Sequence, residues 1–393
     1  MTSDTELTLV QFLRQGFDPV ADLARIRDRQ PVFPLPLPGD QTAWLVTRYE
    51  DVRAVLGDTE RFSNDFGNVI GLGSAQEDPG GLGFRDPPEH TRLRRLLTPE
   101  FTARRLQRLE VRIRQITDEL LDDLEQAGPG ADLLEHFAFP LPALVVCELL
   151  GVPYAQREEF LKLSTDRFDL SAGPEASIQA INESMAFLTD LVARQREDPG
   201  EGLLGRLLRE HGQEVTDREL ASLADGILTG GHDTSTSMLA LGALWLTQHP
   251  DQAAAVREDA DGTHTARLVE ELLRYLSVVQ AAFPRFARHD LTLAGQPIGK
   301  GQMVLCSLTA ANRDPARGPG LDEVHPGRAF SHLAFGHGIH RCVGAPLAQL
   351  ELCVALPALL RRLPRLRPAI PLAELPFRRL AIVYGLDALP VTW

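Results

Sequence analysis

Lysine is nearly missing from this chain. Only Lys162 and Lys300 appear among 40 basic residues, and the rest are arginine. Acidic residues outnumber them and leave a net charge of −14, which argues against general nucleic-acid binding. Cysteine is also scarce. Cys147, Cys306, Cys342 and Cys353 are too few and too scattered for a disulfide framework. Cys147 and Cys353 fall in apolar helical runs and Cys306 in a strand-like one, so these three read as buried, inert thiols. No stretch reaches the roughly 18 uncharged apolar residues that span a bilayer. Met1 to Val10 lacks the basic start and apolar stretch of a signal peptide. The expectation is a soluble, cytoplasmic protein, with no membrane and no nucleic acid among its partners. No Gly-rich fingerprint follows a strand-like run, so no flavin or nicotinamide module is built in. Repeats, low-complexity tracts and separating linkers are absent too. The chain therefore reads as one domain, residues 1–393, mainly α with small β-sheets.

What is present is mostly helical periodicity. Residues 31–38 are proline-dense and read as an extended entry segment. Ala43 to Thr47 reads as a strand, and Tyr49 to Leu56 as a helix. Residues 64–84 are rich in Gly, Asn and Asp and read as a long loop, of the kind that is often functional. Helical patterns run from Glu89 to about Gly128, then over Leu133–Leu150, Ala155–Phe168 and Glu175–Arg196. Glu219–Gln248 is unusually apolar and suggests a central buried helix. Leu291–Leu308 reads as short strands joined by Gly/Pro turns, and Pro346 to about Arg362 as a final helix.

Two segments carry chemistry. Phe335-Gly336-His337-Gly338-Ile339-His340-Arg341-Cys342-Val343-Gly344 sets one cysteine in a glycine-punctuated loop. The glycines let backbone turn and approach closely, and Pro346 suits a helix start just beyond. A thiol near a helix N-terminus is stabilised as its anion. The second segment is Gly230-Gly231-His232-Asp233-Thr234-Ser235, inside the long helix. Two interior glycines cost on the order of 2 kcal/mol relative to alanine. Thr234 lies four residues after Gly230, so its hydroxyl can bond the Gly230 carbonyl. Either this is a notch with an acid and an alcohol beside it, or it is a helix crossing that needs small residues. Elsewhere, His90 and Arg94 are one helical turn apart and form either a carboxylate-binding face or a solvated basic one. Glu271 and Arg274 are an i, i+3 pair, in isolation an ordinary surface salt bridge.

Taken together, these residues resemble the cytochrome P-450 (haem-thiolate monooxygenase) family, in its soluble bacterial, ferredoxin-dependent form. Phe335, Gly338, Cys342 and Gly344 match the haem-binding loop, and Gly230, Gly231, Asp233 and Thr234 match the oxygen-binding helix. The resemblance covers nearly the whole chain, including Glu148-Leu149-Leu150-Gly151-Val152-Pro153 and Ala388-Leu389-Pro390-Val391-Thr392-Trp393. It implies haem b (iron protoporphyrin IX) held between a long central helix and the cysteine loop, with Cys342 as the axial ligand. A thiolate ligand favours O–O cleavage.

By the same resemblance, His90, Arg94, Arg285 and His340 meet the haem propionates, and Phe335, Gly336 and Gly344 shape the loop. Asp233 relays protons and Thr234 holds the proton-donating water. His232 fills the variable position of the motif and reads as structural. Glu271 and Arg274 become a buried ion pair, with Arg328 the candidate third member. Substrate contacts would come from Phe66, Val69, Phe168, Leu170, Leu223, Ile227, Gly230, Ala281, Phe283, Val383 and Tyr384. Many bacterial relatives carry arginine where Tyr384 stands. These positions are mostly apolar and suit an organic natural product.

The implied reaction is hydroxylation of an apolar substrate, with oxidative aryl or peptide cross-linking, or a non-catalytic haem role, as alternatives. Electrons would come from a ferredoxin and its reductase. Arg92, Arg95, Arg104, Arg105 and Arg108 offer either a docking patch for that acidic partner or a solubilising face. The molecule is expected to be a monomer. A zinc site from His332, His337, His340 and Cys342 has suitable residue types but lacks a ligand-knuckle spacing.

Overall fold

Pro34 and Pro36 settle where the first strand can lie, because a residue without an N–H belongs at a sheet edge. In the computed structural model, which describes residues 12–37, 41–65, 81–162, 174–328 and 331–393, β1 (Val32–Leu37) is that edge. It pairs antiparallel with β2 (Gln41–Val46) in a five-stranded sheet. β3 (Phe62–Ser63) and β4 (Arg285–Ala287) form the other side. β5 (Leu291–Leu293) and β6 (Gln296–Ile298) make a separate hairpin, and β7 (Met303–Cys306) joins β2 to β4. The sheet order is β1-β2-β7-β4-β3, with β2 and β7 parallel.

Backbone contacts divide the chain into two interleaved compact units. The first comprises residues 1–93, 271–342 and 379–384; the second holds the remainder. The sheet belongs wholly to unit one. Period-two alternation along β2 sends Ala43 and Leu45 into one apolar cluster with Leu23 and Leu35. Trp44 and Val46 go to the opposite cluster, with Val52, Val55, Phe62 and Val304. The Tyr49–Gly57 helix covers that second face. The β5–β6 turn is made by Ala294 and Gly295, both with positive φ (46° and 83°). That backbone matches the twist of a tight hairpin.

Unit two is helical and is organised on the 32-residue helix Asp217–Gln248. A capping box starts it. Glu219 N–H donates to Thr216 Oγ1 (3.2 Å) while Thr216 N–H donates to Glu219 Oε2 (2.8 Å). Most of its residues are buried on every side, as its all-round apolar character requires. Ala103–Ala127, Pro140–Leu150, Pro174–Glu197 and Ala345–Arg362 are the other long elements of this unit. β8 (Arg367–Pro368) and β9 (Val391–Thr392) pair at its C-terminal end.

The expected Leu133–Leu150 helix is split, because Pro140 cannot donate. A π turn over Leu134–Ala138 precedes a helix beginning at Pro140. That helix stops at Gly151, whose φ of 83° is the left-handed cap conformation. The expected Ala155–Phe168 helix begins in a 3-10 turn over Tyr154–Gln156 and continues as Arg157–Lys162; residues 163–168 lie outside the described residues. Short helices at Leu203–His211 and Pro250–Glu258 add to the sequence expectation. No helix among the described residues is long and apolar enough to cross a membrane.

Candidate active site

Unit one carries the cysteine loop. Gly336 and Gly338 have φ of 71° and 72°, a region L side chains rarely adopt. Gly338 has a further constraint. A Cβ there would lie 2.7 Å from the Leu56 carbonyl oxygen and 3.0 Å from Gly57 Cα. The loop is tied by Gly336 N–H to Leu333 O (2.8 Å) and by Cys342 N–H to Phe335 O (2.9 Å). Between them, Gly338–His340 forms a 3-10 turn. Cys342 is exposed, whereas Cys147 and Cys306 are buried and Cys353 is partly so. Burial pushes the Cys147 and Cys306 thiols up to about 12, so neither supplies a thiolate near neutral pH.

The histidines expected at one propionate meet in this unit. His90 is buried, and its ring lies 4.2 Å from that of His340, centroid to centroid. Arg285 sits in β4, opposite Val304 of β7, and is 4% exposed. Its Nη1 donates to the Phe283 carbonyl (2.9 Å), and among the described residues no carboxylate lies within ion-pair distance. Burial lowers its pKa, against weaker opposing pulls from Cys306 and Asp86. A guanidinium held this way calls for an anion, and a propionate is one. Glu271, Arg274 and Arg328 also converge. Arg274 Nε and Arg328 Nε each lie 2.8 Å from a Glu271 oxygen. Burial would raise the Glu271 carboxyl, but the hydrogen bonds from Arg274 and Arg328 outweigh it and hold it low.

The expected substrate positions of unit one have mixed surroundings. Phe283 is 48% exposed and packs edge-on against Phe84. Ala281 bridges to Ser307, and Val383 to Val279; both are buried. Tyr384 is fully buried. Its hydroxyl donates to the Gly16 carbonyl (2.8 Å), and Arg14 lies 4.4 Å from its ring centroid. Its polar atom is thereby committed to the N-terminal segment. Phe66, Val69, Phe168 and Leu170 lie outside the described residues.

Unit two carries the long helix and Arg94. In that helix the paired glycines have different jobs. A Cβ on Gly231 would lie 3.2 Å from Val146 Cγ2, so this glycine serves a helix crossing. A Cβ on Gly230 would meet nothing within 4 Å, and Gly230 is exposed in a largely buried stretch. The Thr234 hydroxyl donates to the Gly230 carbonyl (2.6 Å), as the spacing foretells, while the segment remains α-helical. Leu223 and Ile227 are buried on the same helix. His232 bonds the Phe139 carbonyl through Nε2 (3.1 Å), and burial lowers it to about 4, a neutral structural histidine.

Two functional neighbours escape sequence reading. Asp233, also buried, is paired with Arg378 (Oδ1 to Nη1 2.6 Å). Burial raises the Asp233 carboxyl, and Arg378 opposes the rise. Glu351 is fully buried and hydrogen-bonds Ser235, the residue after Thr234. Its Oε2 has no partner among the described residues, and burial pushes the carboxyl up to about 8. Both are distant in sequence from the motif they touch, and no local spacing announces them. Among the described residues no three His, Cys, Asp or Glu side chains form a metal-holding group, so the zinc alternative has no geometric support.

An exposed thiol in a glycine-turned loop, a buried arginine with no carboxylate beside it among the described residues, and a long helix carrying an acid and an alcohol next to an open glycine fit a haem-thiolate class of protein. The comparisons agree. The family model described as Cytochrome P450 matches residues 23–190 and 175–364. This chain belongs to the cytochrome P450 family, whose cofactor is haem b, and is a P450 monooxygenase. It is 42% identical over the full length of both chains to Cytochrome P450 FAS1 of Rhodococcoides fascians. A solved structure of a hybrid P450, OxyBtei(BC/FGvan), matches with a TM-score of 0.86 and 42% identity, covering 98% of this chain and 100% of that one. OxyC, described as implicated in an oxidative C–C coupling reaction during vancomycin biosynthesis, matches with a TM-score of 0.87 and 41% identity. That match covers 97% of this chain and 96% of OxyC. These relatives fit a P450 of bacterial secondary metabolism.

Proposed function

We propose that this enzyme oxidatively cross-links aryl groups in a natural-product substrate, using dioxygen and electrons from a ferredoxin. The observation that carries the choice of reaction is the likeness, over nearly the whole chain, to P450s such as OxyC. Cys342 would hold the haem iron, while Arg285, His90, His340 and Arg94 would hold the propionates. The haem, when bound, supplies the activation of oxygen. The protein's own residues do the rest. Thr234, already bonded to the Gly230 carbonyl beside an open notch, holds a proton-donating water. Asp233 passes protons from outside.

Cross-linking removes two hydrogens from the substrate and reduces dioxygen to two waters, with two further electrons and two protons. Hydroxylation inserts one oxygen atom and releases one water from the same inputs. Both consume two delivered protons, so the acid–alcohol pair serves either. Hydroxylation is the second reading, and that intact pair is what keeps it in view.

Electrons would enter from an acidic ferredoxin, itself reduced by a ferredoxin reductase. Arg104, Arg105 and Arg108 line one surface hollow with Thr102, of about 260 Å³, and offer it a basic patch. The test is mass spectrometry of turnover with a bis-phenolic linear peptide. A product lighter by two hydrogens supports cross-linking. A product heavier by one oxygen replaces that reading with hydroxylation.

A further inference from the structure

Arg378 stands 145 positions after Asp233 yet makes the closest charged contact to the motif acid. Its place is well fixed within unit two. Arg378 N–H donates to the Gly385 carbonyl (2.9 Å), and Phe377 bridges to Leu386. Gly385 in turn lies so close to the long helix that a Cβ on it would come 2.5 Å from Ser237 Oγ, one turn beyond Asp233. A second carboxylate, Asp387, reaches Arg378 Nε at 3.4 Å but is 64% exposed. The buried end of the guanidinium therefore serves Asp233 and the outer edge serves Asp387.

We propose that Arg378 is a positioning residue for proton delivery, holding Asp233 ionised and in one place on the long helix. This rests on the reading of Asp233 as the proton-passing acid. A carboxyl buried this deeply without a cation keeps its proton. An acid that never gives up its proton cannot turn over between successive deliveries. Arg378 is the charge that prevents this, and the same charge helps keep neighbouring His232 neutral. Among the described residues the other carboxylate paired with the guanidinium is Asp387, which is exposed and tethers it without competing for the buried side.

The test uses haem-loaded protein and the variants Arg378→Gln, Arg378→Lys, Asp233→Asn and the Gln/Asn double. Infrared difference spectra at neutral pH come first, with no turnover. Arg378→Gln is expected to show a new protonated-carboxyl band that Asp233→Asn removes and Arg378→Lys never develops. Product formed per electron pair should fall on the order of tenfold to a hundredfold in Arg378→Gln, recover in Arg378→Lys, and not fall further when Arg378→Gln is added to Asp233→Asn. Absence of the band, or an equal fall in the Asp233→Asn background, overturns the proposal. If Arg378→Gln folds poorly, the double variant should fold, since asparagine needs no proton to be buried at neutral pH; failure of that rescue also overturns it. If Asp233→Asn alone leaves coupling intact, the Asp233 reading falls, while the infrared pair still decides whether Arg378 sets its charge.

Discussion

Glu351→Gln tests the electrostatics of the long helix at a residue with no assigned role in holding haem or substrate. The folded Glu351 carboxyl titrates at about 8 against an ordinary 4.5, because it is wholly buried. Between those values the native state holds a proton that the unfolded chain has released. Stability must therefore fall as pH rises from 4.5 towards 8. Each pH unit is worth about 1.4 kcal/mol, so at pH 7 the retained proton costs the fold roughly 3 kcal/mol. Glutamine has the same shape and cannot ionise, which removes that cost. Its extra amide N–H groups would sit where Oε2 now lacks a partner, and leaving one unmet costs about 1 kcal/mol. The variant should thus be less stable than wild type by roughly 1 kcal/mol near pH 4, about equal to it near pH 5, and more stable by about 2 kcal/mol at pH 7. The assay is denaturant unfolding of both proteins across that range at matched haem content, read as the difference between them. A difference that does not change with pH would show that Glu351 is not a buried neutral acid.

Other changes probe the remaining parts. Cys342→Ala should abolish the red-shifted band of the reduced, carbon-monoxide-bound protein; retention of that band would exclude Cys342 as ligand. Thr234→Ala should still bind haem but divert electrons to peroxide, lowering product per electron pair about tenfold to a hundredfold; wild-type coupling would remove Thr234 from proton delivery. Gly338→Ala combines a φ of 72° with a Cβ 2.7 Å from the Leu56 carbonyl, so a loss of about 2 kcal/mol is expected in thermal unfolding. An unchanged midpoint would show that the loop tolerates a side chain there. Arg104→Glu with Arg105→Glu should slow reduction by ferredoxin several-fold and leave chemical reduction unaltered. Equal slowing by both routes would place the defect elsewhere.

What could be read from the sequence was whatever depends on short spacings. The cysteine loop is legible because glycine, histidine and cysteine at fixed intervals dictate a turn, and the turn forms with positive φ at Gly336 and Gly338. The Thr234 to Gly230 bond is legible because four residues make one helical turn. Of the paired glycines, Gly231 sits at a helix crossing and Gly230 faces open space, a difference that only packing could assign. Arg328 was found through its family role, and the structure brings it to Glu271. The break before Pro140 was written in the sequence but hidden by the apolar run around it.

Charge on the motif was not legible, and the reason is physical. Whether Asp233 is ionised depends on two opposing terms, burial and a cation, and neither is local. Burial comes from helices packed around Asp217–Gln248, and the cation comes from Phe377-Arg378-Arg379, where sequence alone does not say which arginine turns inward. Glu351, reaching the long helix from Ala345–Arg362, shows the other outcome. Its carboxyl is as deeply buried but has a serine in place of an arginine, and its pKa rises to about 8. Two acids beside consecutive residues of one helix, Thr234 and Ser235, thus differ in the charge that partners them. Removing Arg378 should make Asp233 behave like Glu351, and a neutral Asp233 is the state in which the acid–alcohol pair stops cycling protons.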